Sequence, residues 1–308
     1  MLISINSMCS ILENAKSLQE QITNAASNFI PKIQQPLRSI KKRKYNLTCL
    51  AKKDSNTEAD QAPLSLVLIE TRKSHSRAVQ ISVEALLRKI DAPLALICGH
   101  DNAKDICEIM QSTNCKEYKI LLLDEGIKSA INYNEFLMSF DFWKSIYETG
   151  KILVFQSDSS ICQKSNYRIN DFMDFDYIGG QWKVKRPCGL EVYGGSGGFS
   201  LRDRKLSIQA LKLFGDVPWQ FGEDGFYGFF IDTLGGVVAR EEEIDQFCSE
   251  KQWKEGCFAI HKLRIKPDDI DLIESLTIHC PDWLRIQQIL QQLVLQRFNL
   301  NLPFLHAF

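Results

Sequence analysis

The chain has 308 residues, 44% of them hydrophobic, and a formal net charge of −1. That is ample apolar material for a packed domain, and too little charge to gather nucleic acid or an anionic membrane by its field alone. Ten cysteines occur without a C-x-x-C pair, which argues against a cysteine zinc site and a small disulfide scaffold, and for reduced thiols in a cytosolic compartment.

Residues 1–62 read as an N-terminal extension, helical in part near 9–26 and otherwise polar and broken by Pro31 and Pro36. Residues 1–60 hold nine Lys and Arg against five Asp and Glu, with KKRK at 41–44. That run reads as a solvated tail, with a nuclear localisation signal or a phosphate patch as the other readings. The first eight residues are too short and too interrupted for a signal peptide, and no run is long enough to cross a membrane, so the expected location is cytoplasmic.

From Pro63 the pattern alternates. Buried strands are expected at 64–69, 94–98, 118–123 and 151–155, with helices at 76–90, 102–110 and 133–147 between them. Strict alternation of this kind implies parallel pairing, hence a Rossmann-like nucleotide-binding half. Glu70-Thr71-Arg72 follows the first of these strands where a dinucleotide site would carry G-x-G-x-x-G, and no P-loop motif occurs. The strand 151–155 ends on Gln156-Ser157-Asp158, and the C-terminal ends of strands are where open α/β sheets bind ligands. Two readings of Asp158 stand: a turn cap, and an anchor for a divalent cation and its phosphate.

Beyond Asp158 glycine and aromatic residues dominate. The run 193–198 holds four glycines in five positions and reads as a substrate-contacting loop, since glycine lets backbone approach a ligand closely. A helix is expected at 203–214. Glu223 and Asp224 sit at the start of a further helix whose inner face carries Phe226, Phe229 and Phe230. There the helix dipole favours ionised carboxylates, so they are either N-terminal caps or a general base. His261 follows a short apolar run, and as a lone histidine it gains weight only if it converges on Asp158. Residues 281–298 read as an amphipathic helix with Trp283, Ile286, Leu290 and Leu293 on one face. Packing on the domain is expected in preference to dimerisation or peripheral membrane docking, because Arg285 and Arg297 are its only cations.

The segments FQSDSSIC, DFDYIGGQW, GGSGGFSLRDR, GEDGF and FAIHK resemble, in order and spacing, a family of GT-A-like glycosyltransferase domains. The resemblance covers 63–266. It implies an α/β GT-A-like domain with a mixed sheet over 63–270, followed by a C-terminal helix and tail over 271–308. The partners implied are a nucleotide-sugar donor, with a UDP-sugar first among them, and a glycan or other hydroxyl acceptor. Mn²⁺ or Mg²⁺ is the implied cofactor, held by Asp158 in the place of the last carboxylate of D-x-D and by His261. Gln156 departs from that motif where the first Asp would stand. Asp224 matches the catalytic base, with Glu223 as neighbour or substitute. Trp182 and the loop through Gly195, Gly197 and Gly198 would line the sugar or acceptor pocket, Glu70, Thr71 and Arg72 would contact the nucleoside, and Gln156 and Ser157 would lie against the donor. Arg72 or Arg202 would help the metal offset charge on the leaving diphosphate. Two alternatives remain open. One is a GT-A-shaped binding protein without catalysis, which Gln156 favours; the other is a sugar-phosphate nucleotidyltransferase, which the glycine-free stretch 71–74 disfavours.

Overall fold

In the computed structural model, which describes residues 44–54, 62–183, 194–216, 219, 222–266 and 269–297, the first half runs β1 (Leu47–Lys53), β2 (Leu64–Ile69), α1 (Ser76–Leu87), β3 (Leu94–Cys98), α2 (Ala103–Ser112), β4 (Tyr118–Leu123), α3 (Ala130–Leu137), α4 (Phe140–Ser145) and β5 (Lys151–Phe155). The second half runs β6 (Ser159–Ile161), β7 (Tyr177–Gly180), β8 (Ser196–Asp203), α5 (Arg204–Phe214), α6 (Gly222–Thr233), α7 (Glu241–Phe247), β9 (Cys248–Ser249), β10 (Ala259–His261), α8 (Ile270–His279) and α9 (Pro281–Arg297).

Seven strands form one mixed sheet in the order β1-β4-β3-β2-β5-β8-β7. The four at its centre are parallel, while β1, β8 and β7 join antiparallel. Both faces are covered, which is why β2 and β3 are buried throughout and apolar except at Ser65. Successive residues point to opposite sides: Leu66, Leu68, Leu94 and Leu96 pack with Val79, Val83 and Leu86 of α1, and Val67, Ile69, Ala95 and Ile97 share a core with Phe142, Trp143, Phe226 and Phe230. From β2 the chain moves one way along the sheet to β3 and β4, then returns to place β5 on the other side of β2. The gap between the ends of β2 and β5 is thus a topological switch point, where open α/β sheets bind ligands.

The α/β class and the mixed sheet agree with the sequence reading, and the four central strands begin and end where expected. Elsewhere the structure differs. β1 lies inside the stretch taken as an extension: it pairs with β4, and Tyr45 beside it is part of the core. The expected helix at 133–147 is two helices, because the Ser139 hydroxyl accepts from Phe142 N at 3.2 Å and caps a new start. Half of the glycine run is strand, since β8 begins at Ser196. The helix expected at 9–26 lies outside the described residues.

A three-stranded sheet, β6-β10-β9, extends beyond the end of β5. Behind it α9 buries Trp283 and Ile286, the face the periodicity marked. Cys162 and Cys280 are joined by a disulfide across 118 positions, a pairing invisible in their spacing and contrary to the expectation of reduced thiols. The other six described cysteines are free. No helix among the described residues is long and apolar enough to cross a membrane.

Candidate functional site

Because β2 and β5 pair in parallel, with Leu68 opposite Phe155, the residues that follow them emerge together. Glu70, buried to 3%, accepts hydrogen bonds from Ser157 Oγ at 2.6 Å and from Arg72 Nε at 2.8 Å and Nη2 at 2.7 Å. Burial alone would raise the pKa of this carboxyl, but Arg72, Ser157 and His75 hold it below its ordinary value. Glu70 thereby ties the two strand ends together and aims a guanidinium that stays more than half exposed. Thr71 is a hinge of the same wall: its hydroxyl accepts from Ile127 N at 3.0 Å and fixes the loop that leads to α3.

The convergence of His261 on Asp158 is produced by strand pairing. β10 runs antiparallel to β6 with His261 opposite Ser159, one residue past Asp158. His261 Nε2 lies 3.2 Å from both Asp158 Oδ1 and Gln156 Oε1, and Nδ1 lies 3.0 Å from Glu250 Oε2. Asp158 Oδ1 is buried without a well-aligned hydrogen bond, so its contact with the imidazole is that of an ion pair. Burial lowers the pKa of His261, yet Glu250 and Asp158 on its two sides bring it above the ordinary value. Burial likewise disfavours the Asp158 charge, and His261 and Lys262 more than reverse this. A β-carbon at position 198 would lie 1.9 Å from His261 Cε1; glycine there gives the ring its room.

The adjacent acids at the start of α6 have different surroundings. Glu223 is buried in a two-point ion pair with Arg202, at 2.6 and 3.1 Å, and the Arg202 guanidinium lies between the rings of Tyr177 and Tyr227, 5.6 and 5.2 Å from their centroids. Neither partner is free for substrate. Arg202, expected to face the diphosphate, has its side chain turned into the core by its strand, and Glu223, though it lines the cavity, has both oxygens held by Arg202. Asp224 also lines the cavity, with Oδ1 accepting from Gly225 N at 2.8 Å and Oδ2 from Gly197 N at 3.2 Å. A β-carbon on Gly197 would come 2.1 Å from Glu223 Oε1, so this glycine, like Gly198, makes room for site side chains.

The cavity bounded by these groups has a volume of about 400 Å³ and is lined by Glu70, Thr71, Arg72, Gln156, Gly197, Gly198, Asp224 and His261, among others. Of the residues expected to bind the donor or acceptor, Ser157, Asp158, Trp182 and Gly195 are not on its lining. Trp182 is buried to 8%, and Gly195, at φ +89°, packs its backbone against Gly179 and Gly180. Several lining residues had drawn no notice in the sequence, among them Tyr133, Lys128, Glu250 and Lys262. Tyr133 Oη is buried without a well-aligned hydrogen bond, though Gln156 is beside it, and burial, reinforced by the Glu223 charge, keeps this phenol protonated. Glu250 has no local signature, since only the fold brings it to His261. Lys262 ends the FAIHK segment, where its neighbour His261 drew the attention.

A divalent cation at Asp158 and His261 finds a poor donor set. A hard cation prefers several oxygen ligands with carboxylates among them; here there is one carboxylate, one amide oxygen and an imidazole. Lys262 Nζ lies 2.6 Å from Gln156 Oε1 and 3.6 Å from Asp158 Oδ2. No group of three or more His, Cys, Asp or Glu among the described residues is arranged to hold a metal ion.

Residues 117–264 match the model of a family described as a protein of unknown function, DUF5672. No curated protein matches the chain. Among solved structures, a crystal structure of an active-site mutant of LgtC is similar at a TM-score of 0.45 and 8% identity, over 70% of this chain and 96% of that one.

Proposed function

We propose that the protein is a GT-A-like glycosyltransferase that moves a sugar from a nucleotide-sugar donor, a UDP-sugar first among the candidates, to an acceptor hydroxyl. The observation that carries this reading is the cavity at the switch point between β2 and β5. Its lining includes the Arg72 guanidinium, the Lys262 ammonium and the Asp224 carboxylate. In this reading the donor diphosphate lies against Arg72 and Lys262, whose charges oppose the negative charge that develops on it as the bond to the anomeric carbon breaks. Tyr133 Oη donates a hydrogen bond to the same ligand. Asp224 accepts the proton of the acceptor hydroxyl as its oxygen bonds to the anomeric carbon. The divalent metal of the family pattern takes no part in these steps, since the donor set fits it poorly.

Glu70 and Ser157 hold Arg72 in place, and Glu250 holds His261 against Asp158. These residues shape the donor wall without touching the reacting atoms. A thermal-shift screen of nucleoside diphosphates and nucleotide sugars tests the reading, because a ligand bound only by the folded state raises the midpoint. At saturation about 100-fold above Kd the expected stabilisation is about 2.7 kcal/mol. No shift with any nucleotide contradicts it.

A further inference from the structure

Lys262 stands in a conformation that its residue type disfavours. Its φ of +47° is the single positive value at a non-glycine among the described residues, and an L side chain keeps that conformation only where its surroundings impose it. They do so here. His261, one position earlier, is fixed in β10, and the Lys262 carbonyl accepts a hydrogen bond from Lys183 Nζ. The strained turn delivers the ammonium to the cavity, 2.6 Å from Gln156 Oε1 and 3.6 Å from Asp158 Oδ2, with the side chain still 47% exposed.

Gln156 and Lys262 account for one another. A carboxylate at 156 beside Asp158 would create a pair of hard oxygens suited to a divalent cation, and would also neutralise a nearby ammonium. The amide at 156 does neither: it accepts a hydrogen bond from Lys262 and adds no charge, so the ammonium faces a single carboxylate that is already paired with His261. The positive charge of Lys262 is therefore available to an anion entering the cavity, which Arg72 also lines.

We infer that Lys262 occupies the charge-neutralising place of a divalent cation, so that this site binds the diphosphate of its ligand without metal. The inference rests on the nucleotide-sugar reading and narrows it to a cation-independent member of that class.

Calorimetric titration of uridine, guanosine, cytidine and adenosine diphosphates, in EDTA and again in Mn²⁺, tests it on the full chain. For whichever nucleotide binds, Kd in the two media is expected to agree within about threefold, and K262M is expected to weaken binding about tenfold or more in both. K262R, which keeps the charge, recovers most of the loss. Q156D supplies a second variant: two carboxylates should bind Mn²⁺ and make nucleotide affinity depend on it. Binding that is tenfold weaker in EDTA, or a folded K262M that binds like the parent, overturns the lysine assignment and leaves the nucleotide reading standing. If no nucleotide binds in either medium, both readings fall.

Discussion

Glu70 with Arg72 on one wall of the cavity, and Glu223 with Arg202 on the other, are the same chemical pair in different surroundings. In the first the carboxylate is 3% exposed and the guanidinium 58%; in the second the values are 3% and 0%. The acid of the first pair is an anchor that holds a cation out toward ligand. In the second, Arg202 is buried in the core and holds both oxygens of Glu223, and the pair braces α6 against β8 where Asp224, the next residue, lines the cavity. Adjacent carboxylates can therefore have unrelated roles. In the proposed reading Asp224 is the chemical one of the two, because Arg202, twenty-one positions from Glu223, holds both Glu223 oxygens.

Breaking the buried pair should have the larger effect on stability. R202M leaves Glu223 as an uncompensated buried charge and is expected to cost about 3–5 kcal/mol in chemical denaturation. The double variant R202M/E223Q removes that charge as well and should lose less than R202M alone. Equal losses would mean that the pair is not the brace described. R72Q is the milder test of the opposite wall. Glu70 keeps the hydrogen bonds from Ser157 Oγ and from the backbone N–H of residue 72, so the unfolding midpoint should stay close to the parent while nucleoside diphosphate affinity falls about tenfold, or about 1.4 kcal/mol. If R72Q instead unfolds the protein and R202M does not, the two walls have been assigned in reverse.

The central strands were legible because each is a short apolar run buried on both faces, a local property of the sequence. β1 was not, since five of its seven residues are exposed and only pairing with β4 gives it order. Asp224, Arg72 and Gln156 could be proposed from their positions at element ends. Their relation to His261 could not, because it depends on the β6–β10 register between segments about a hundred residues apart. The glycines at 197 and 198 were recognised as close-approach positions, but what approaches is Glu223 and His261. Lys262 was hidden for a similar reason: its significance lies in a backbone torsion and in a contact with Gln156 across 106 positions.

In the proposed reading Asp224, and not its buried neighbour, is the base of a sugar-transfer site. Transfer from a nucleotide-sugar donor, measured for the parent and for D224N alongside donor binding, separates the two acids. D224N is expected to bind donor as the parent does and to lose transfer by about 100-fold or more. Transfer at the parental rate by D224N, or a parent that binds donor and neither transfers nor hydrolyses it, would contradict this reading.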